Sequence, residues 1–160
     1  MSTVNELLKR FSHLPRFADG RINYTGSESA LVLTCFVLYN GKILLLKRSN
    51  TVLTYRGVWN TVAGYMDEDI LPEEKATEEL LEETGIMRDN ISSITAGVPL
   101  EFRDGKRTWI VIPVLARLVH EPAITLDHEH TTYRWVTPEE TQQFDTVPNF
   151  AAMLRIALAL

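Results

Sequence analysis

Three glutamates in a short acidic segment have the spacing needed to bind a divalent cation. Glu79, Glu82 and Glu83 lie three and four residues apart, so a helix would place their carboxylates on one side of a single turn. Like charges at this spacing repel, and either a bound cation or raised carboxyl pKa values would relieve the repulsion. From Asp67 to Glu83 the chain has nine acidic residues and one basic residue, Lys75, although its overall net charge is only −5. A metal site is therefore the first hypothesis.

The ligand types indicate which metal such a site would prefer. Residues 67–83 contain neither cysteine nor histidine, and carboxylate oxygens are hard ligands that suit Mg²⁺ or Mn²⁺ better than Zn²⁺ or copper. Mg²⁺ usually binds through one or two protein carboxylates together with the phosphates of a substrate. The expected partner is therefore a small phosphate compound.

Residues 64–86 resemble the signature of the Nudix hydrolases, G-x5-E-x7-R-E-U-x-E-E-x-G-U, in which U is an aliphatic residue. Seven of the nine defined positions match: Gly64, Glu79, Leu80, Glu82, Glu83, Gly85 and Ile86. The resemblance implies an α/β fold, an α/β/α sandwich with a mixed β-sheet. It also implies a hydrolase that cleaves a nucleoside diphosphate linked to another group, with Mg²⁺ or Mn²⁺ bound by the three helix glutamates and water as the nucleophile.

Two signature positions differ in this chain. Ile70 replaces the loop glutamate, and Glu78 replaces the arginine that in the family is thought to hold the metal-binding glutamates by ion pairing. Lys75 could offset part of the repulsion, although an exposed helix ion pair contributes only about 0.3–0.5 kcal/mol. Asp69 or Glu68 could replace the loop carboxylate. The two differences also support an alternative function, a Nudix-fold module that binds a nucleotide, and regulates a partner, without cleaving its ligand.

A further carboxylate is expected to deprotonate the attacking water. The resemblance implies an extra glutamate, as metal ligand or base, in the loop that contains Glu129, and the sequence leaves Glu82 and Glu129 open as the base. Glu83 belongs to the catalytic group as a metal ligand. His128 and His130 could bind a metal with neighbouring carboxylates, but two histidines at this spacing are more typical of an ordinary loop, and zinc is not favoured.

Basic and aromatic residues elsewhere in the chain could bind the substrate. Arg48, at the end of a predicted strand, and Arg56, in the following loop, could bind phosphates through the two-pronged guanidinium group. Four aromatic residues could stack on a base: Tyr55, Tyr65, Phe102 and Trp109. Of these, Tyr65 and Phe102 are assigned to substrate binding.

The composition is typical of one globular enzyme domain. With 160 residues, 45% of them hydrophobic, the chain can bury one substantial core. We expect an N-terminal helix and lead-in over residues 1–27, a core over 28–145 and a C-terminal helix over 146–160. The single cysteine, Cys35, lies in an apolar run and is expected to be buried; no disulfide can form within the chain. Without a signal core or a membrane-length apolar segment, a cytoplasmic location is expected.

Periodicity and turn residues predict the order of the elements. Asn40-Gly41 and Asp104-Gly105 each predict a hairpin, while Pro72 and Gly85 suit the start and end of the helix that carries the glutamates. Helices are predicted at 4–11, 72–84, from 137 and from 148, and strands at 30–39, 42–47, 58–63, 92–102, 108–118 and 133–136.

The charge and the C-terminal segment bear on possible partners. An acidic chain without a basic stripe is not expected to bind extended nucleic acid. The apolar C-terminal helix could close the core or form the contact of a homodimer.

Overall fold

The computed structural model describes residues 3–160 and shows an α/β/α sandwich in which helices pack on a mixed β-sheet. Its helices and strands are α1 (Val4–Lys9), β1 (Ser29–Tyr39), β2 (Lys42–Arg48), β3 (Trp59–Asn60), β4 (Val62–Tyr65), α2 (Pro72–Thr84), β5 (Ile91–Ala96), β6 (Leu100–Asp104), β7 (Arg107–Leu118), β8 (His130–Val136) and α3 (Phe150–Leu158). Residues 88–90 and 139–143 form short 3₁₀ turns.

The central strand β1 connects the two halves of the sheet. It runs parallel to β7 and antiparallel to β2 and β4, so the sheet is mixed, as the resemblance implies. The predicted β1–β2 hairpin is confirmed: Asn40 and Gly41 have φ angles of 50° and 74°, the left-handed conformations that a two-residue turn between twisted strands requires.

Two predicted strands are each divided in the structure. Residues 92–102 form β5 and β6, which pair with the end and the beginning of β7. The break contains Gly97 and Pro99, and Pro99 has no N–H to donate to a ladder. Residues 58–65 change partners from β2 to β1 at Thr61, whose hydroxyl donates to the carbonyl of Cys35 at 2.9 Å. This change extends β4 to Tyr65 and aligns it beside α2.

The C-terminal helix α3 covers part of the core. Phe150 packs edge-to-face on Phe36 with ring centroids 5.3 Å apart, and Met153 and Leu154 are buried. The apolar face that the sequence offered as a possible contact with another chain therefore closes the core. Cys35 is fully buried, as predicted, and burial raises the pKa of its thiol. Among residues 3–160, no helix has the length and apolar character needed to cross a bilayer.

The helix α2 has the predicted bounds and fixes the orientation of the glutamates. Ala76, Leu80 and Thr84 are fully buried against the sheet. Gly85 ends the helix in the left-handed conformation at φ 75°, which glycine adopts without strain. The side of α2 next to these buried residues lies beside β4.

Candidate active site

Backbone atoms of β4 directly contact the carboxylates of α2. The N–H of Ala63 donates to Oε2 of Glu83 at 3.0 Å. Gly64 lies so close to Glu79 that an added Cβ would be 2.4 Å from the Glu79 Cδ atom, so a larger residue would displace that carboxylate. Glu82 is exposed on the adjacent side of the helix. The signature glycine is therefore required by the close approach of strand and helix.

Burial gives two of these glutamates unusual electrostatics. It raises the pKa of Glu79 to about 7; Lys75 opposes the shift, and the charges of Glu82 and Glu129 add to it. Burial, and then the charge of Glu79, raises the pKa of Glu83 well above its ordinary value. The two neighbouring carboxylates repel each other when both are ionised, and a bound divalent cation would relieve this repulsion.

Lys75 has a larger role than the exposed ion pair expected from the sequence. It is only 6% exposed, and its Nζ lies 3.6 Å from a carboxylate oxygen of Asp67, Glu78 and Glu79 and 4.0 Å from Glu68. Burial opposes its charge, but these carboxylates, Asp67 foremost, raise its pKa. The expectation that Lys75 forms only a weak, exposed ion pair was wrong because Lys75 lies on the buried face of α2. Its ammonium group lies where it can hold Glu79 in place, the role expected of the missing signature arginine.

The loop before α2 contributes a different carboxylate from those expected. Asp69 accepts a hydrogen bond from Nδ2 of Asn5 at 2.8 Å and is exposed, and the Glu68 carboxylate, with its side chain 40% exposed, lies 4.0 Å from Lys75 Nζ. Asp67 lines the same cavity as Glu79 and Glu83, and its buried Oδ1 has no hydrogen-bond partner among the described residues. Asp67 was not among the predicted site residues, although it lies within the acidic run. Ile70 packs against the hydrophobic core.

The segment before β8 brings a histidine to the buried glutamate. Because β8 begins at His130, three residues earlier than predicted, this residue is buried in the sheet and is not the ordinary loop residue expected from its spacing. Its Nδ1 lies 2.8 Å from Oδ1 of Asp127, and its Nε2 lies 3.8 Å from Oε1 of Glu83. His128 and Glu129 are exposed and line the cavity.

A cavity of about 520 Å³ joins the acidic cluster to an aromatic end. Arg48 lines it, and its guanidinium donates to the carbonyl of Thr54 at 2.9 and 3.0 Å. Arg56 is exposed outside this lining, and its Nε donates to the carbonyl of Val52 at 2.7 Å. Both arginines therefore hold the loop between β2 and β3, but only Arg48 faces the cavity.

The aromatic candidates lie in two places around the cavity. Phe102 and Tyr65 both line it, and Tyr65 stacks on Tyr24 with centroids 5.3 Å apart. At the aromatic end, Nε1 of Trp109 donates to the Tyr55 hydroxyl at 3.2 Å, and that hydroxyl donates to Asp104. Burial, and then the bond to Asp104, raises the pKa of Tyr55 to about 12, so its hydroxyl remains protonated. This chain of hydrogen bonds fixes the loop between β2 and β3 against β6 and β7.

The donor set fits a hard divalent cation. Glu79, Glu83 and Asp67 line one cavity, and the Asp67 Oδ1 atom is buried 3.6 Å from the Lys75 ammonium, with no hydrogen bond in the described part of the chain. Carboxylate oxygens are the ligands that Mg²⁺ and Mn²⁺ prefer. The carboxylates that line the cavity are thus of the type that would hold such an ion.

Comparisons with known proteins assign the chain to a family. The family model of the NUDIX domain matches residues 30–155, whereas none of the curated proteins matches the chain significantly. Among solved structures, a MutT protein from Methanosarcina mazei is 23% identical, with a TM-score of 0.63 over 79% of this chain and 91% of that chain. An Ap4A hydrolase from C. elegans is 22% identical, with a TM-score of 0.60 and coverage of 79% and 92%. The NUDIX domain of Shewanella oneidensis NrtR complexed with ADP ribose is 19% identical, with a TM-score of 0.64 and coverage of 79% and 86%.

Proposed function

This chain belongs to the NUDIX family of hydrolases, which act on phosphoanhydride bonds, and we propose that it is a Mg²⁺- or Mn²⁺-dependent pyrophosphohydrolase of small nucleoside diphosphate derivatives. The observation that carries the proposal is the cavity with buried carboxylates at one end and aromatic side chains at the other. A molecule with a pyrophosphate and a base matches both ends.

The helix glutamates would hold the cation. Glu79 and Glu83 face the cavity, and Glu82, on the exposed side, completes or tunes the site. When bound, a divalent cation supplies positive charge to a pyrophosphate and lowers the pKa of water. The Ala63 N–H and Lys75 keep Glu83 and Glu79 in position for this role.

Other residues of the cavity have roles in binding and proton transfer. Glu82 or Glu129 accepts the proton of the attacking water. Arg48 binds a phosphate oxygen, and Tyr65 or Phe102 stacks on the base. Because Arg56 is directed at the loop carbonyl of Val52, its contribution in this proposal is to hold the loop.

The alternative, a binding module without catalysis, was based on Ile70 and Glu78. In the structure, Lys75 supplies a cation beside Glu79, and Asp67 supplies a loop carboxylate facing the cavity. Both charges that the signature lacks are therefore present from neighbouring positions, which supports the hydrolase.

The test is release of nucleotide or phosphate from a substrate panel with Mg²⁺, Mn²⁺ or EDTA. Two of the similar structures are an Ap4A hydrolase and a domain complexed with ADP ribose, so dinucleoside polyphosphates and ADP-ribose belong in the panel with NADH, nucleoside diphosphate sugars and nucleoside triphosphates. We expect cation-dependent turnover of one class, abolished by Glu83→Gln and retained in the control Glu139→Gln, which changes an exposed glutamate of the 139–143 turn.

Two results would contradict the proposal. If Glu83→Gln turned over substrate with unchanged cation dependence, Glu83 would not be a required metal ligand. No turnover across the panel, with thermal stabilisation by the same compounds, would establish the binding module instead.

A further inference from the structure

One ring nitrogen of His130 lies within hydrogen-bond distance of a carboxylate, and the other has no hydrogen-bond partner in the described part of the chain. Its side chain is 1% exposed, and Nδ1 lies 2.8 Å from Oδ1 of Asp127. In the neutral tautomer whose Nδ1–H donates to the Asp127 carboxylate, Nε2 presents a lone pair. This Nε2 is buried and has no hydrogen-bond partner among residues 3–160. A buried lone pair without a partner is costly unless something binds it.

The nearest ligand-type atom is an oxygen of the buried glutamate. Oε1 of Glu83 lies 3.8 Å from Nε2 of His130, which is too long for a hydrogen bond. Two ligand atoms each about 2.0–2.2 Å from one cation are separated by at most roughly 4.4 Å, so the observed gap suits a shared ion. The other oxygen of Glu83 is held by the N–H of Ala63 at 3.0 Å, which leaves Oε1 free to face the imidazole.

Asp127 completes the arrangement. One ligand atom each from Glu83, Asp127 and His130 all lie within 4.8 Å of one another. Histidines that bind metals commonly donate their second ring N–H to a carboxylate, which fixes the ring and its tautomer. Asp127 stands in that relation to His130.

We propose that Nε2 of His130 and Oε1 of Glu83 form a nitrogen-containing site for a transition-metal dication such as Mn²⁺, with Asp127 orienting the imidazole. The inference rests on the proposed function in that Glu83 is also assigned to the catalytic cation, and it adds a ligand that the glutamates of α2 do not supply. Because Mg²⁺ demands near-ideal octahedral geometry and gives up its waters reluctantly, we expect this mixed nitrogen and oxygen site to bind Mn²⁺ more tightly than Mg²⁺.

The test detects histidine nitrogen bound to Mn²⁺ directly. The full chain, loaded with Mn²⁺ alone, is studied by pulsed electron paramagnetic resonance with histidine in its natural form and in its ¹⁵N-labelled form. We expect a nitrogen coupling that changes with the label, is lost in His130→Gln and persists in His128→Gln, a control that changes the exposed neighbour two residues earlier. Asp127→Asn should weaken Mn²⁺ binding by about 10–100-fold in calorimetry, the usual effect of losing a carboxylate that orients a ligand.

The outcomes separate this inference from the proposed hydrolase. Cation-dependent turnover without a histidine coupling at saturating Mn²⁺ would overturn the inference and leave the hydrolase standing. Loss of the coupling in His128→Gln would also overturn it. A coupling from His130 in a protein without turnover would support the site and contradict the hydrolase. If His130→Gln does not fold, the triple variant His13→Gln/His120→Gln/His128→Gln, which changes three exposed histidines and leaves His130 as the only histidine, decides the question by keeping or losing the coupling.

Discussion

Replacement of Lys75 by methionine should destabilise the protein and weaken its affinity for a divalent cation. The Nζ atom of Lys75 contacts Asp67 and Glu79 at 3.6 Å, and methionine retains much of the stem while removing the charge. Without it, two mostly buried carboxylates, with side chains 15% and 13% exposed, lose the cation that both contact. The variant therefore tests whether Lys75 performs the role of the missing signature arginine.

The magnitude follows from burial. Removing one partner of a buried ion pair typically costs 3–5 kcal/mol, whereas the more exposed contacts to Glu68 and Glu78 add little. Because burial raises the pKa of Glu79 to about 7, this group can take up a proton near neutral pH, which limits the cost to about 2–3 kcal/mol. For a chain of this size, that corresponds to a decrease in melting temperature of roughly 4–12 °C.

The assay is thermal unfolding in EDTA together with Mn²⁺ titration by calorimetry. The matched control, Lys42→Met, changes an exposed lysine at the start of β2. The double variant Lys75→Met/Glu78→Arg, which restores the signature arginine, should regain part of the Mn²⁺ affinity. A melting temperature for Lys75→Met within about 1 °C of the control, with unchanged Mn²⁺ affinity, would refute the reasoning.

Three other perturbations test the same geometry. In the folded state the pKa of Glu79 is raised from its ordinary value of 4.5 to about 7. Protonated Glu79 therefore stabilises the fold at low pH, and this stability is lost as pH rises through the window between the two values. The melting temperature of the metal-free protein should fall from pH 4.5 to 7, and should fall less in Glu79→Gln. Gly64→Ala places a Cβ 2.4 Å from the Glu79 Cδ atom, so turnover should fall about 100-fold in a steady-state assay while the fold is retained. Tyr55→Phe removes the acceptor of the Trp109 N–H and should cost about 1–2 kcal/mol in denaturant unfolding.

Local signals in the sequence predicted the parts of the fold that local interactions determine. The helix α2 begins at Pro72 and ends before Gly85, because proline suits a first turn and glycine permits the left-handed cap. The Asn40-Gly41 turn similarly fixes the hairpin of β1 and β2. Both elements have bounds close to the predicted ones because their end signals lie within the elements themselves.

Strand partners and burial depend on contacts that are distant in sequence. At Thr61 the chain changes its partner strand, and at Gly97 it changes its position along the same partner strand. Hydrophobic periodicity continues through both breaks and therefore does not reveal them. His130 becomes a neighbour of Glu83 only because β8 pairs with β2 and the preceding loop reaches α2. Composition gave no indication of this contact, since two histidines in a polar segment usually face water.

The position of Lys75 shows why the differences from the signature do not by themselves predict loss of activity. An arginine at position 78 would be adjacent to Glu79 and would project about 100° away from it around the helix, on the exposed side where Glu78 lies. Lys75 is one full turn before Glu79 and projects on the same side as that carboxylate, where burial strengthens its attraction. The chemistry needs a positive charge beside the glutamates, and a different helix position can supply it. If Lys75→Met/Glu78→Arg binds Mn²⁺ and Lys75→Met does not, the charge rather than its place in the signature is the requirement.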